Sequence, residues 1–468
     1  MTIELKGFFL PGSSWPSTVY EQEGCRILLP RLSPDGVRQA VDRAMETAAD
    51  TLPAYSADDL ASIFDQTAAR WREPSEKRRR ISRAIAGLTG LSPEVVEASI
   101  EVEQSNCNRE DILAAVNRDL GDHRCLDGFV PEDRLGGWTR AIGPKLTGAV
   151  LTSNVPGLSY LSIVRALVVK SPLVAKLSRF EPIFGPAWLE TLAEVEPRLA
   201  SCVAMFCWPG SDPELEEAML EQAEALMVYG GPESIAHYRQ AFGRRLRLVE
   251  HGHKVGVALI GREALSDERS AEELAQRIAL DTAMFDQRAC VSPQILFVER
   301  GGLPTRSFAA LLHAALNRLA EELPRSATTL DTAAGLAQEI NLESFAAAQD
   351  PGKEILTGAG GIVVHESEPV FQGVLPLRYL RVCPVEGLDE ALEIMAPYAT
   401  TLQNVGLAAE GRALELAEKL ARLGASRIVA PGSMHRPSMR WKHDGLAPFA
   451  SLVRWTDMEM LDSFGGSP

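Results

Sequence analysis

The chain has 468 residues, 47 of them Lys or Arg and 63 Asp or Glu, for a net charge of −16. With 46% hydrophobic and 24% charged residues it has the composition of a globular protein of two or three domains. Wholesale disorder, a collagen-like rod and a disulfide-stapled mini-domain are excluded, and the acidic balance argues against nucleic-acid binding, which relies on clustered Lys and Arg.

In chain order, MTIELKGFFLPGSSWP lacks a basic segment followed by a long apolar one, so no signal peptide is expected. Residues 1–120 read as a helical, partly charged region. Ser33-Pro34-Asp35 and Ser92-Pro93-Glu94 each combine an N-cap with proline at the first helical position. Between them, the basic run from Trp71 to Arg83 reads as a solvated helix face, or as a landing site for an anionic carrier or a partner protein. The uncharged stretch Leu146–Val164 approaches the length of a membrane span. It holds Asn154, Pro156, Gly148 and Gly157, which favour a buried strand, turn and helix, so no membrane span is expected.

From about residue 145, short apolar runs alternate with helical patterns: TGAVL, PLVAKL, CVAMFCW and ALMVY as strands, with a helix after each. RLRLVE and VGVALI close this series, which predicts βαβ units and a Rossmann-like parallel sheet over residues 121–265. RSAEELAQRIALDTAMF then predicts a helix and QILFV a strand, opening a second α/β domain over 266–435. The aromatic tail, 436–468, is short on helical period and is expected to pack on another surface or subunit as an oligomerisation element.

Seven cysteines, at 25, 107, 125, 202, 207, 290 and 383, form an odd set without a C-x-x-C pair. They read as reduced thiols of a cytoplasmic protein, and no metal site is expected. Cys290 stands in a predicted loop between a helix and a strand, where a thiol with a lowered pKa can attack acyl carbons. Asn154 follows a predicted strand, where its amide can serve as a turn residue or donate to a developing oxyanion. Lys176, Ser178 and Arg179 end the next strand, and their donors suggest anion binding. Gly230 and Gly231 lie between a strand and a helix begun by Pro232, so backbone and helix N-terminus can approach a phosphate, or simply form a tight turn.

Four elements in one order, LTSNVPG, VAKLSRF, VYGGPES and FDQRACVSPQ, resemble the aldehyde dehydrogenase superfamily. Within it, NVPGLSYLSIVRALVVKSPLVAKLS and MRWKHDGLAPFASLVRW resemble the long-chain acyl-CoA (fatty acid) reductases, which include the reductase component of bacterial luminescence. The resemblance implies an aldehyde dehydrogenase-like α/β fold with Cys290 as nucleophile and Asn154 as oxyanion donor. It also implies Lys176 on the adenosine ribose, with Ser178 beside it, and Gly230 and Gly231 at the pyrophosphate. Arg179 takes the place often held by a glutamate on the ribose 2′-hydroxyl, which implies NADPH rather than NADH. Glu250-His251-Gly252-His253-Lys254 stands where the superfamily has Glu-Leu-Gly-Gly-Lys, so Glu250, His251 or His253 can manage protons. The later Glu-x-Phe-Gly-Pro segment has no clean counterpart near Glu368–Gly373.

The activity so implied is reduction of an acyl-CoA or acyl-carrier thioester to an aldehyde, by a homo-oligomer that can also meet an acyl-activating partner enzyme. Three alternatives stay open at this point: an NAD(P)-dependent aldehyde dehydrogenase, a non-redox cysteine acyltransferase or thioesterase, and a catalytically silent scaffold that holds a partner acyl-activating enzyme, with the Arg78–Arg80 run as its contact.

Overall fold

The computed structural model describes residues 3–12, 15–22, 25–132, 136–327, 330–373 and 377–459. The chain divides into two compact units, one made of Met1–Thr89, Ile100–Gly252 and Ser438–Pro468, the other of Gly90–Ser99 and His253–Pro437.

The first unit begins with strands where the reading had only helices. β1 (Ile3–Lys6), β2 (Ser17–Gln22) and β3 (Cys25–Pro30) form a small sheet in the order β1-β3-β2. These strands are only four to six residues long, too short for their alternation to stand out beside the long helices that follow. Helices α1 (Pro34–Thr51), α2 (Ala57–Arg72), α3 (Glu76–Thr89), α4 (Pro93–Ser105) and α5 (Arg109–Leu120) come next. Both N-cap signals are realised: Ser33 Oγ accepts from Gly36 N at 3.2 Å and Ser92 Oγ from Val95 N at 3.2 Å. The basic run is not a uniformly solvated face. Arg78 is 2% exposed, and its guanidinium donates to the Trp71 and Arg72 carbonyls at 3.1 and 2.7 Å. The carbonyls that end α2 lack helical donors, and a cation is well suited to satisfy them.

After β4 (Val130–Glu132) and β5 (Gly137–Ile142) comes the main sheet of this unit. It is built from β6 (Thr147–Val150), β7 (Leu173–Leu177), β8 (Val203–Cys207), β9 (Ala225–Tyr229) and β10 (Arg247–His251). All pair in parallel, in the order β10-β9-β6-β7-β8. Helices α6 (Tyr160–Val168), α7 (Phe184–Val195), α8 (Pro197–Ala200), α9 (Pro213–Leu220) and α10 (Pro232–Phe242) make the crossovers. β8 and β9 are buried at every residue, as expected of a parallel sheet covered on both faces. The uncharged stretch resolves into β6, a turn and α6, and no helix among the described residues is long and apolar enough to cross a membrane.

VGVALI does not close that sheet. As β11 (Val255–Ile260) it lies inside the sheet of the second unit, paired in parallel with both β12 (Pro293–Glu299) and β16 (Leu402–Ala408). An apolar run marks a doubly covered strand, but not which sheet takes it. Completed by β13 (Glu354–Thr357), β14 (Ile362–His365), β15 (Tyr379–Val385) and β17 (Arg427–Val429), this sheet runs β13-β14-β15-β12-β11-β16-β17. Only β13 is antiparallel. Helices α11 (Glu268–Ala283) and α12 (Thr305–Leu319) cover one face through Ile278 and Leu312. Beyond α13 (Leu330–Gln349), α14 (Leu388–Met395) and α15 (Ala413–Leu423) cover the other through Leu388 and Leu416.

The tail ends in β18 (Arg454–Glu459), which pairs antiparallel with β5 in a sheet of order β18-β5-β4. From Ser438 the described part of the tail therefore belongs to the first unit of its own chain, while 460–468 lie outside the described residues.

Candidate active site

In the first unit the ladder registers bring several candidates to one edge. Val150 pairs with both Lys176 and Val228, and Val228 with Glu250, so the C-terminal ends of β6, β7, β9 and β10 are level. Open α/β sheets bind ligands along this edge. Asn154 lies in the turn after β6, half-buried, its Oδ1 accepting from Thr152 Oγ1 at 2.6 Å.

Lys176 Nζ donates to the Gly210 carbonyl at 2.5 Å, lies 3.5 Å from the buried Glu216 carboxylate and sits 5.1 Å from the Trp208 ring centre. Ser178 Oγ accepts from Phe180 N at 3.3 Å. Arg179 is exposed, its guanidinium 4.6 Å from the Phe180 ring centre. Gly231 is the N-cap of α10, and a Cβ built there meets nothing within 4 Å, whereas one on Gly230 meets the Ser234 side chain at 2.9 Å. The open approach to the N-terminus of α10 can receive a phosphate, while on the β7 side Lys176 is held by Gly210 and Glu216 and Arg179 is exposed.

Glu250 is bound by both arms of Arg239, at 3.0 and 2.5 Å. Its neighbour His251 is 6% exposed and bonds through Nδ1 to Asp444 Oδ2 at 2.8 Å. Its ring stacks on Tyr229 at 4.6 Å and on His443 at 4.2 Å, and Arg165 donates to the Tyr229 hydroxyl at 2.9 Å. Burial pulls the imidazole below its usual range, although the Asp444 bond works against this. His251, His443 and Asp444 bring metal-capable atoms within 4.8 Å of one another. The two stacked rings are nearly parallel, at 17°, so their in-plane lone pairs do not converge on one ion. Glu103, buried on α4, is pushed up to about 8 by desolvation, against the pull of Arg165. Arg165, Glu103, His443 and Asp444 escaped sequence reasoning. Only Asp444-Gly445 carries a local signal, a turn dipeptide, and both residues have positive φ, 56° and 78°. His253, in the second unit, is exposed.

Cys290 belongs to the second unit, in the turn between α11 and β12. It is half-buried, while the other six cysteines are buried. Desolvation pushes the thiols of Cys125 up to about 11 and of Cys202, Cys207 and Cys383 up to about 12. Cys290 is thus set apart by access.

Solved structures place this fold among the aldehyde dehydrogenases. Aldehyde dehydrogenase 21 from Physcomitrella patens, in complex with the reaction product succinate, superposes with a TM-score of 0.73 at 13% identity, covering 99% of this chain and 100% of that one. A putative methylmalonate-semialdehyde dehydrogenase from Sinorhizobium meliloti 1021, complexed with NAD, gives 0.70 at 14% identity over 100% of both chains. The chain belongs to the acyl-CoA reductase (LuxC) family, whose description matches residues 52–455, and it is accordingly an aldehyde-forming oxidoreductase. Among its relatives, the long-chain acyl-protein thioester reductase of Aliivibrio fischeri is 27% identical over 399 residues, 83% of this chain and 80% of that protein. The Vibrio harveyi protein of the same name is 23% identical over 422 residues, 89% and 85% of the two chains.

Proposed function

We propose that the chain reduces a fatty acyl thioester, carried by CoA or by a protein, to the free aldehyde through an acyl group on Cys290. The observation that carries this is Cys290 itself. It is the one half-buried thiol of the seven, in the turn that enters β12 of an acyl-CoA reductase. The relatives' name, long-chain acyl-protein thioester reductase, supports a thioester substrate.

In this reading the Cys290 thiolate forms a bond to the acyl carbon and the carbonyl electrons move onto oxygen, where Asn154 is assigned to donate. The oxyanion collapses, the carrier C–S bond breaks, and the carrier leaves as a thiolate that takes up a proton from solvent. A bound reduced nicotinamide supplies the hydride for the next step. The Cys290–carbon bond then breaks, releasing aldehyde and restoring the thiolate. No water is activated, so the Arg239 pair that engages Glu250 does not obstruct the reaction. Lys176, Ser178, Gly230 and Gly231 are assigned to the dinucleotide and Arg179 to a 2′-phosphate, which makes NADPH the preferred donor. β18 stands at the edge of its sheet, a position open to pairing with another chain, which supports a homo-oligomer.

Intact-mass measurement after incubation with a panel of acyl-CoAs, without NADPH, should show one acyl group on the wild type and none on Cys290→Ala. NADPH consumption by Cys290→Ala at the wild-type rate would overturn the assignment. Aldehyde oxidation by NADP⁺ that needs no thiol acceptor would favour an aldehyde dehydrogenase instead.

A further inference from the structure

We propose that Gln287 and the Asp286–Arg378 pair are positioning residues that hold the Cys290 thiol in its reactive place, an inference that rests on Cys290 being the nucleophile. Three consecutive residues between α11 and Cys290 have left-handed backbone: Phe285 at φ 55°, Asp286 at 52° and Gln287 at 63°. L-residues avoid this region, and none of the three is Gly or Asn, so such a run persists only where surrounding contacts dictate it.

Those contacts are buried and specific. Asp286 is 1% exposed; its Oδ1 accepts from Arg378 Nε at 2.6 Å, and its Oδ2 accepts from Ser326 Oγ and, at 3.3 Å, from Ser326 N. Arg378, also at positive φ, 54°, is fully buried and donates to the Leu323 and Pro324 carbonyls at 2.7 and 3.1 Å.

Gln287 makes the link to the thiol. Its Nε2 donates to the Pro293 carbonyl at 2.8 Å and to the Tyr379 carbonyl at 2.7 Å, and its Oε1 accepts from Tyr379 N at 2.7 Å. The β12–β15 ladder begins only at Ile295 and Arg381, so the Gln287 amide acts as an extra rung before it. One side chain therefore closes the loop from Gln287 to Pro293, with Cys290 at its midpoint. On the far side of the thiol, Asn404 Nδ2 donates to the Val291 carbonyl at 2.7 Å. Ala289 and Val291 are buried on either side, while Cys290 alone between them is half-exposed. An amide and an ion pair spent on pinning a strained backbone fix where the thiol stands. A nucleophile displaced by about 1 Å can lose about 100-fold in rate.

The test is the pH dependence of Cys290 alkylation by iodoacetamide, read by peptide mass, beside acyl-adduct formation and thermal melting. Gln287→Ala and Asp286→Asn should each slow acylation about 100-fold, with the acyl thioester KM changed much less than kcat, and should shift the pH midpoint of alkylation. Ser326→Ala, which removes the hydroxyl that donates to Asp286 and accepts from Arg288 Nη2 while leaving the Ser326 N–H bond to Asp286, should slow acylation about 3- to 10-fold and shift the alkylation midpoint less, while keeping the fold. Glu299→Gln, which changes a buried carboxylate paired with the more exposed Arg262 and Arg412 at the other end of β12, should lower the melting temperature and leave acylation and the alkylation profile of Cys290 as in the wild type. Folded Gln287→Ala and Ser326→Ala that alkylate like wild type would overturn the proposal, as would an equal slowing by Glu299→Gln. If wild-type Cys290 takes up no acyl group, the underlying function fails instead, and the alkylation series still decides whether these residues position the thiol.

Discussion

Cys290 and the six other cysteines share one chemistry and differ in surroundings, and the same holds for the carboxylates. Glu103, at 4% exposure, is pushed up to about 8 by burial, and Glu181 up to about 7 despite donors from Phe184 N and Ile183 N. A carboxyl with a raised folded-state pKa binds more protons folded than unfolded, between its ordinary value and the raised one. Stability must therefore fall as pH rises through that window, by up to about 1.4 kcal/mol per pH unit for each group. Above about pH 7.5, a unit past the ordinary imidazole value, the opposing contributions of His251, His313 and His365, whose folded-state pKa values are lowered, have faded. Between there and pH 8 Glu103 dominates, so Glu103→Gln should flatten most of the decline in a series of urea titrations. An unchanged slope would show that Glu103 is ionised in the fold. Single residues were legible in the sequence where local pattern defines them: Cys290 by its helix-to-strand loop, Gly231 by the proline after it. His251 was visible, but its partner Asp444 stands 193 positions away, and no local rule joins them.

At the scale of elements, helix starts were the most readable feature, because an N-cap satisfies backbone donors within three residues of itself. Ser33→Ala removes the bond to Gly36 N and leaves α1 otherwise intact, so it should cost about 0.5–2 kcal/mol. Denaturant midpoints at constant m-value measure this, and no change would mean that another donor caps the helix. The turn before Cys290 shows the opposite case. Its three left-handed residues each carry a strain of about 1–3 kcal/mol, and FDQ has no glycine to announce it. Helix α13 was also missed. Its sequence has little periodicity, and Glu343 is its one buried residue, paired with Lys353 at 2.6 Å and Arg381 at 2.5 Å.

For the whole molecule, a charge of −16 means that anionic ligands are held by local cations against the overall field. If Arg179 meets a 2′-phosphate, NADPH should raise the melting temperature more than NADH at equal concentration, since a ligand at 100 times its Kd adds about 2.7 kcal/mol. Arg179→Ala should erase that difference and spare NADH stabilisation; an equal response of both proteins to both cofactors would remove Arg179 from the site. The sequence by itself determined the α/β class, most crossover helices and the family, because hydrophobic period, caps and motif order are local or ordered along the chain. Only the tertiary structure decided that VGVALI joins the seven-stranded sheet, that β18 returns to β5, and that Asp286, Gln287 and Arg378 close around the Cys290 turn. Strand partners and buried polar pairs join residues far apart in sequence, and the free energy that selects them comes from packing and desolvation, which no single segment carries.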